Sequence, residues 1–264
     1  MKTNCYDKKA TYCLFAVIAI IDFAFVFHLC FSYDAIIRPI LPRLIAEDKI
    51  GNTISGANWL AYFTILSNLF VSCWFLAWSC GKLFRINALI RTSEYVPFAT
   101  CATLYIFATG LLYAFSTAFG MRWFDAGDEG AIVNNVANVY QHFIVPPIAL
   151  AVFFTMPIKK TYSERYTALA AMFFPLFYLS FSLFRGKKTN WYAYPIFRPE
   201  TLWEKVYPGR EYETAPAFAL LFAEMIALAA GFFIAAYLMI KIKNKRFLKA
   251  EEIRKEKEFY DNAA

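Results

Sequence analysis

The stretch APAFALLFAEMIALAAGFFIAAYLMI, residues 215–240, runs for 26 positions with a single charged side chain, Glu224. An α-helix rises 1.5 Å per residue, so roughly 20 apolar residues cover the ~30 Å hydrocarbon layer of a bilayer. This segment is long enough to span that layer. Five further stretches have the same character: residues 10–32, 58–80, 97–119, 131–155 and 167–184. Of 264 residues, 59% are hydrophobic and 20% aromatic, and only 18% carry charge. That balance excludes a disordered chain, a collagen-like chain and an ordinary soluble enzyme. The expected fold is therefore all-α. It is a polytopic membrane protein, a bundle of six transmembrane helices over residues 1–240, followed by a charged tail, 241–264.

Orientation follows from Lys and Arg outside the spans. The N-terminal segment, the 81–96 and 156–166 loops and the tail together hold 17 of the 27 basic residues, and the opposite loops hold 10. Both termini are expected in the cytoplasm, which for a bacterial chain means the plasma (inner) membrane. The first span is too long for a signal peptide, and no small-residue cleavage site precedes the charged stretch from Arg38 to Lys49. Pro175 inside the short fifth span predicts a kink or a tilted half-helix. The tail reads as a short amphipathic helix at the headgroups or in water. Its basic residues suit anionic lipid better than nucleic acid.

The six cysteines show no metal spacing and read as small apolar filler. With no phosphate loop, dinucleotide fingerprint or paired metal motif, neither a cofactor nor a metal is expected. No internal repeat is visible, which weighs against transporters built from duplicated halves.

Polar residues inside the hydrocarbon carry the functional information. In the second span Thr64, Asn68 and Ser72 fall at i, i+4 and i+8, on one helix face, with Ser67 beside them. Thr and Ser commonly bond back to the carbonyl four residues earlier, and spacing alone gives Thr64 that bland role. Asn68 has no such easy outlet and is expected to meet another helix. In the fourth span Asn134, Asn138, His142 and Pro146 form a second polar face. Pro146 removes the backbone bond that would run back to the His142 carbonyl. Counting residues inward puts Thr64 about 9 Å and His142 about 10 Å below the same surface. Two acids remain in the hydrocarbon, Asp22 and Glu224, each expensive there unless paired or protonated. His28 is an ordinary interfacial residue.

Four stretches then carry a resemblance: Trp59 with Tyr62-Phe63-Thr64-Ile65-Leu66-Ser67-Asn68; Thr109-Gly110-Leu111-Leu112-Tyr113; His142 with Pro146; and Arg185-Gly186 with Trp191-Tyr192-Ala193-Tyr194-Pro195. Over roughly residues 59–199 the chain resembles the bacterial branch of the androgen-induced-protein family, six-span membrane threonine hydrolases. Animal members cleave fatty acid esters of hydroxy fatty acids. The resemblance implies that Thr64 matches the nucleophilic threonine and His142 the catalytic histidine. A threonine hydroxyl needs an adjacent base, which neutral imidazole supplies. Asn68 and Asn138 are candidate oxyanion donors, and Asp22 is a candidate for orienting His142. A site at this depth takes a lipid-soluble ester from the bilayer.

The competing expectation is a small proton-coupled transporter or carrier using Asp22, Glu224 and His142. A weaker third is a non-catalytic helical module, with the tail as its docking feature.

Overall fold

The computed structural model describes residues 5–27, 62–118, 129–189, 192–194 and 197–263. Among these residues the regular elements are all helical: α1 Cys5–Phe27, α2 Phe63–Phe84, α3 Asn87–Ser93, α4 Val96–Ala118, α5 Glu129–Val139, α6 Val145–Thr155, α7 Glu164–Thr189, α8 Pro199–Val206 and α9 Thr214–Ala263. A π-helical turn, Tyr140–Ile144, joins α5 to α6 into one rod. Six helical stretches are long and apolar enough to cross a membrane. His28, Trp59, Trp191, Pro195, the Arg38–Lys49 stretch and the Asn134 side chain lie outside the described residues.

The side-chain distribution is that of a protein solvated by lipid. Large apolar groups point outward, among them Phe173, Phe177, Phe181 and Phe184 of α7 and Leu14 and Ile20 of α1. Water would penalise a continuous apolar surface of that size, and lipid does not. Meanwhile Asp22, Ser67, Asn68, Ser72, Thr109 and Gln141 are buried.

α1 packs on α2, α2 on α4, α4 on α6, and α7 on α9. Their shared core is aromatic. Phe63, at the first residue of α2, meets Tyr105, Phe174, Tyr178 and Phe232, with ring centroids 5.2–6.2 Å apart. Each such pair adds about 0.5–1.5 kcal/mol beyond simple burial. Phe63 thus anchors the turn that carries Thr64. Polar tips find backbone acceptors: Tyr105 donates to the Ala171 carbonyl, Trp74 to Ser93 and Tyr140 to Ile18.

Two expectations change here. The tail is no separate helix, because α9 continues unbroken for 50 residues through position 240. From Lys241 onward the sequence offers no Gly or Pro to stop it. Docking also holds the junction. Buried Lys243 donates to the Phe153 and Met156 carbonyls, the open C-terminal end of α6. Asn244 bonds the Tyr162 backbone in both directions and the Glu164 carboxylate. The fifth span is longer than hydropathy indicated, since α7 is one helix of 26 residues with Pro175 inside it.

Candidate active site

Thr64 is the second residue of α2, and the N-cap residue Tyr62 supplies no side-chain cap. The first N–H groups of a helix have no acceptor within it. Here a phenol from 130 residues downstream fills the gap. The Tyr194 hydroxyl lies 3.3 Å from the Thr64 nitrogen, which donates to it, and 3.1 Å from Thr64 Oγ1. Thr64 therefore has a tertiary partner for its hydroxyl.

The loop bearing Tyr194 folds back against α7 at Gly186. A Cβ at that position would overlap the Tyr192 ring, which would have to swing aside to admit it. Edge-on rings of Tyr62 and Phe197, at 5.5 and 5.7 Å, hold Tyr194 from two sides. Burial pushes the Tyr194 phenol up from its ordinary value, against its contacts with Thr64, so it stays protonated at neutral pH.

The rest of the α2 face differs in detail from expectation. Asn68 does not turn to another helix, since its Nδ2 donates to the Thr64 carbonyl 2.9 Å away on its own helix. Its buried Oδ1 has no hydrogen-bond partner among the described residues. The crossing to α4 is made by Ser67, whose hydroxyl lies 2.8 Å from Thr109 Oγ1.

His142 sits in the π-helical turn. There the Val145 N–H reaches back five residues to the Tyr140 carbonyl, and Pro146 has no N–H to offer the His142 carbonyl. That carbonyl packs onto α4 at Gly110. A Cβ on Gly110 would lie 2.6 Å from it and 2.9 Å from Pro146 Cγ. The imidazole is nearly fully buried and stacks on Tyr113 at 3.9 Å between centroids. Nδ1 lies 2.8 Å from the Asn138 carbonyl. A carbonyl only accepts, so Nδ1 carries a proton, and in the neutral ring Nε2 bears the lone pair. Nε2 has no hydrogen-bond partner among the described residues. The ring lines an apolar cavity of about 460 Å³ between α4 and α6, with Leu111, Ala114, Pro146 and Leu150 among its walls.

The structure thus brings the Thr64 and His142 segments against α4 at consecutive residues, whose directions differ by about 100° around the helix axis. Thr109 faces α2, and its neighbour Gly110 faces the π-turn. These contacts align Ser67 with His142, and Thr64 lies three residues further along α2, about 4.5 Å. No hydrogen bond joins the Thr64 hydroxyl to the imidazole. Asn138 contributes its backbone carbonyl to the histidine.

No hydrogen bond joins Asp22 to His142. Its carboxylate accepts from Ser72 at 2.6 Å and from Gln141 at 3.1 Å, tying α1 to α2 and to the residue beside the histidine. Gln141 was legible as an amide in mid-span, as anomalous there as the aspartate, and the two satisfy each other. Tyr194 had a weaker signal, because an aromatic cluster beside a span reads first as interfacial belt. Glu224 has one buried oxygen without a hydrogen-bond partner, and no bond links it to Asp22 or His142 among the described residues. No group of three His, Cys, Asp or Glu side chains gathers there either. No protein-family model, curated protein or solved structure matches the chain.

Replacing Asp22 should be costly in proportion to what it strands. Asp22→Leu leaves the Ser72 hydroxyl and Gln141 amide without an acceptor, about 1–3 kcal/mol for a buried donor. The expected result is a lower thermal unfolding midpoint in detergent. Asp22→Asn, which keeps one acceptor and adds a donor for the Gln141 oxygen, should recover most of the loss.

Proposed function

We propose that the protein is a membrane-embedded hydrolase of lipid esters, with Thr64 as nucleophile and His142 as base. In this reading both termini are cytoplasmic, the membrane is the bacterial plasma membrane, and the site lies in its outer half. The substrate is a fatty acid ester of a hydroxy fatty acid or a similar acylated lipid. The observation that carries the reading is the π-turn, which sets a buried imidazole, bonded through Nδ1 to the Asn138 carbonyl, in the wall of an apolar cavity between two lipid-facing helices.

The chemistry closes on these residues. Thr64 Oγ1 attacks the ester carbonyl carbon while its proton passes to His142 Nε2. The ester C–O bond breaks, and the departing alkoxide takes that proton to leave as the alcohol. Water then attacks the acyl-threonine, again giving a proton to the imidazole. The free acid leaves and the hydroxyl is restored. Hydroxyl and imidazole must meet directly or through one water, and such contacts commonly tighten only when substrate binds.

The test is direct. Protein purified in detergent should hydrolyse long-chain esters, and a fluorophosphonate probe should form a covalent adduct that peptide mass spectrometry maps to Thr64. An adduct elsewhere, or ester turnover that survives Thr64→Ala, defeats the reading. The carrier alternative gains less support, because Asp22 is occupied by Ser72 and Gln141 and Glu224 is bonded to neither Asp22 nor His142.

A further inference from the structure

We infer that Tyr194 is the positioning residue of the Thr64 nucleophile, its phenol fixing the threonine rotamer and donating a hydrogen bond to Oγ1. The inference rests on the reading of Thr64 as nucleophile and extends it to a residue in a different part of the chain.

The contacts of the phenol with Thr64 define what it can do there. The Thr64 N–H can only donate, so the phenol oxygen is the acceptor in that contact. The phenol has one proton, and Thr64 Oγ1 lies within its reach at 3.1 Å. Either hydroxyl can donate in that contact, and the arrangement that serves a nucleophile is the one in which Tyr194 donates to Oγ1. The threonine proton is then left over, since no second acceptor engages that hydroxyl among the described residues. It is the proton that a base has to remove.

This polarity suits a nucleophile. As the threonine proton leaves, negative charge grows on Oγ1, and a donor already aimed at that atom stabilises it without reorganising. The same phenol oxygen caps the exposed N–H of the first turn of α2, so backbone and side chain of Thr64 are fixed by one group. Holding the hydroxyl in one rotamer also removes an orientational cost from the attack. Tyr194 can do this because its own ring is held by Tyr62 and Phe197, beside the close packing of Tyr192 on Gly186.

Tyr194→Phe keeps the ring and deletes the oxygen. The expected result is a fall in kcat of at least about tenfold, within the range for losing one aligned donor. KM should stay within about twofold, because the phenol touches the nucleophile and not the acyl chain. The rate of fluorophosphonate labelling at Thr64 should fall by the same factor as kcat. A purely structural tyrosine would instead lower the amount of folded protein while the remaining fraction labelled at the normal rate. If Tyr194→Phe labels and turns over at the parental rate while Thr64→Ala abolishes both, the inference is overturned and the hydrolase reading stands. Turnover that persists in Thr64→Ala overturns both. Should Tyr194→Phe fail to fold, 3-fluorotyrosine at position 194 gives a near-isosteric substitute with a stronger donor. A labelling rate changed about twofold or more supports the positioning role, and an unchanged rate removes it.

Discussion

Thr64→Ala and His142→Ala are each expected to abolish ester turnover while the protein still folds. Alanine at position 64 removes the attacking oxygen, so hydrolysis should drop to the solution background. Alanine at position 142 removes the base, a loss of about 10²–10⁴-fold where proton transfer accompanies attack. Neither change should unfold the bundle. Thr64 gives up one tertiary hydrogen bond, to a phenol that keeps its contact with the backbone N–H. His142 gives up a stacked ring beside a cavity that already exists. The pair should also be non-additive, since each alone removes a step the other cannot perform. Turnover of the single and double variants, beside thermal unfolding in the same detergent, checks all three statements.

Gly110→Ala carries the second large effect, and its sign has to be decided between two opposing contributions. In a helix interior alanine is favoured over glycine by about 1 kcal/mol. Against that, the new methyl would lie 2.6 Å from the His142 carbonyl oxygen, a main-chain atom that no side-chain rotation can clear. Overpacking of that kind costs about 1–3 kcal/mol, so the clash wins. Relief requires α4 and the π-turn to separate, which tilts the imidazole away from its stacking on Tyr113. The expected outcome is a lower unfolding midpoint together with a loss of turnover. Gly231→Ala is the control. It lies on α9 with open space around the added methyl, so the helix preference alone should act and stability should hold or rise.

What could be read from the chain and what could not follow from two kinds of signal. Span number was legible because a hydrocarbon crossing demands a long apolar run, and the chain has six. Span ends were less so. Glu164, Arg165, Lys187 and Lys188 lie inside α7 although hydropathy excludes them, because charged residues with good helix propensity carry a helix on past its apolar stretch. The unbroken length of α9 was hidden for the same reason, since polarity changes at 240 while helix propensity does not. At the candidate site, the distortion at His142 followed from Pro146, a covalent property of one residue. The partners did not follow. Ser67 reaching Thr109, Gln141 reaching Asp22 and Tyr194 reaching Thr64 join residues 42, 119 and 130 positions apart. Residue identity marks such groups as needing partners without saying which. Gly110 and Gly186 stood within the stretches that carry the resemblance, and their close packing gives a physical reason for a small residue there.

The length of α9 bears on whatever is attached beyond it. From Lys241 to Ala263 the rod continues for 23 residues, about 35 Å at helical rise. Arg254 pairs with Glu251 and Glu258 along it. A shaft of that kind sets azimuth as well as reach. Deleting one residue beyond the Lys243 junction would swing the far end by about 100°, while deleting seven would return it to within about 20° and shorten it by about 10 Å. A fluorophore fused at the C-terminus of such a deletion series would therefore read out a compass bearing that repeats with the heptad.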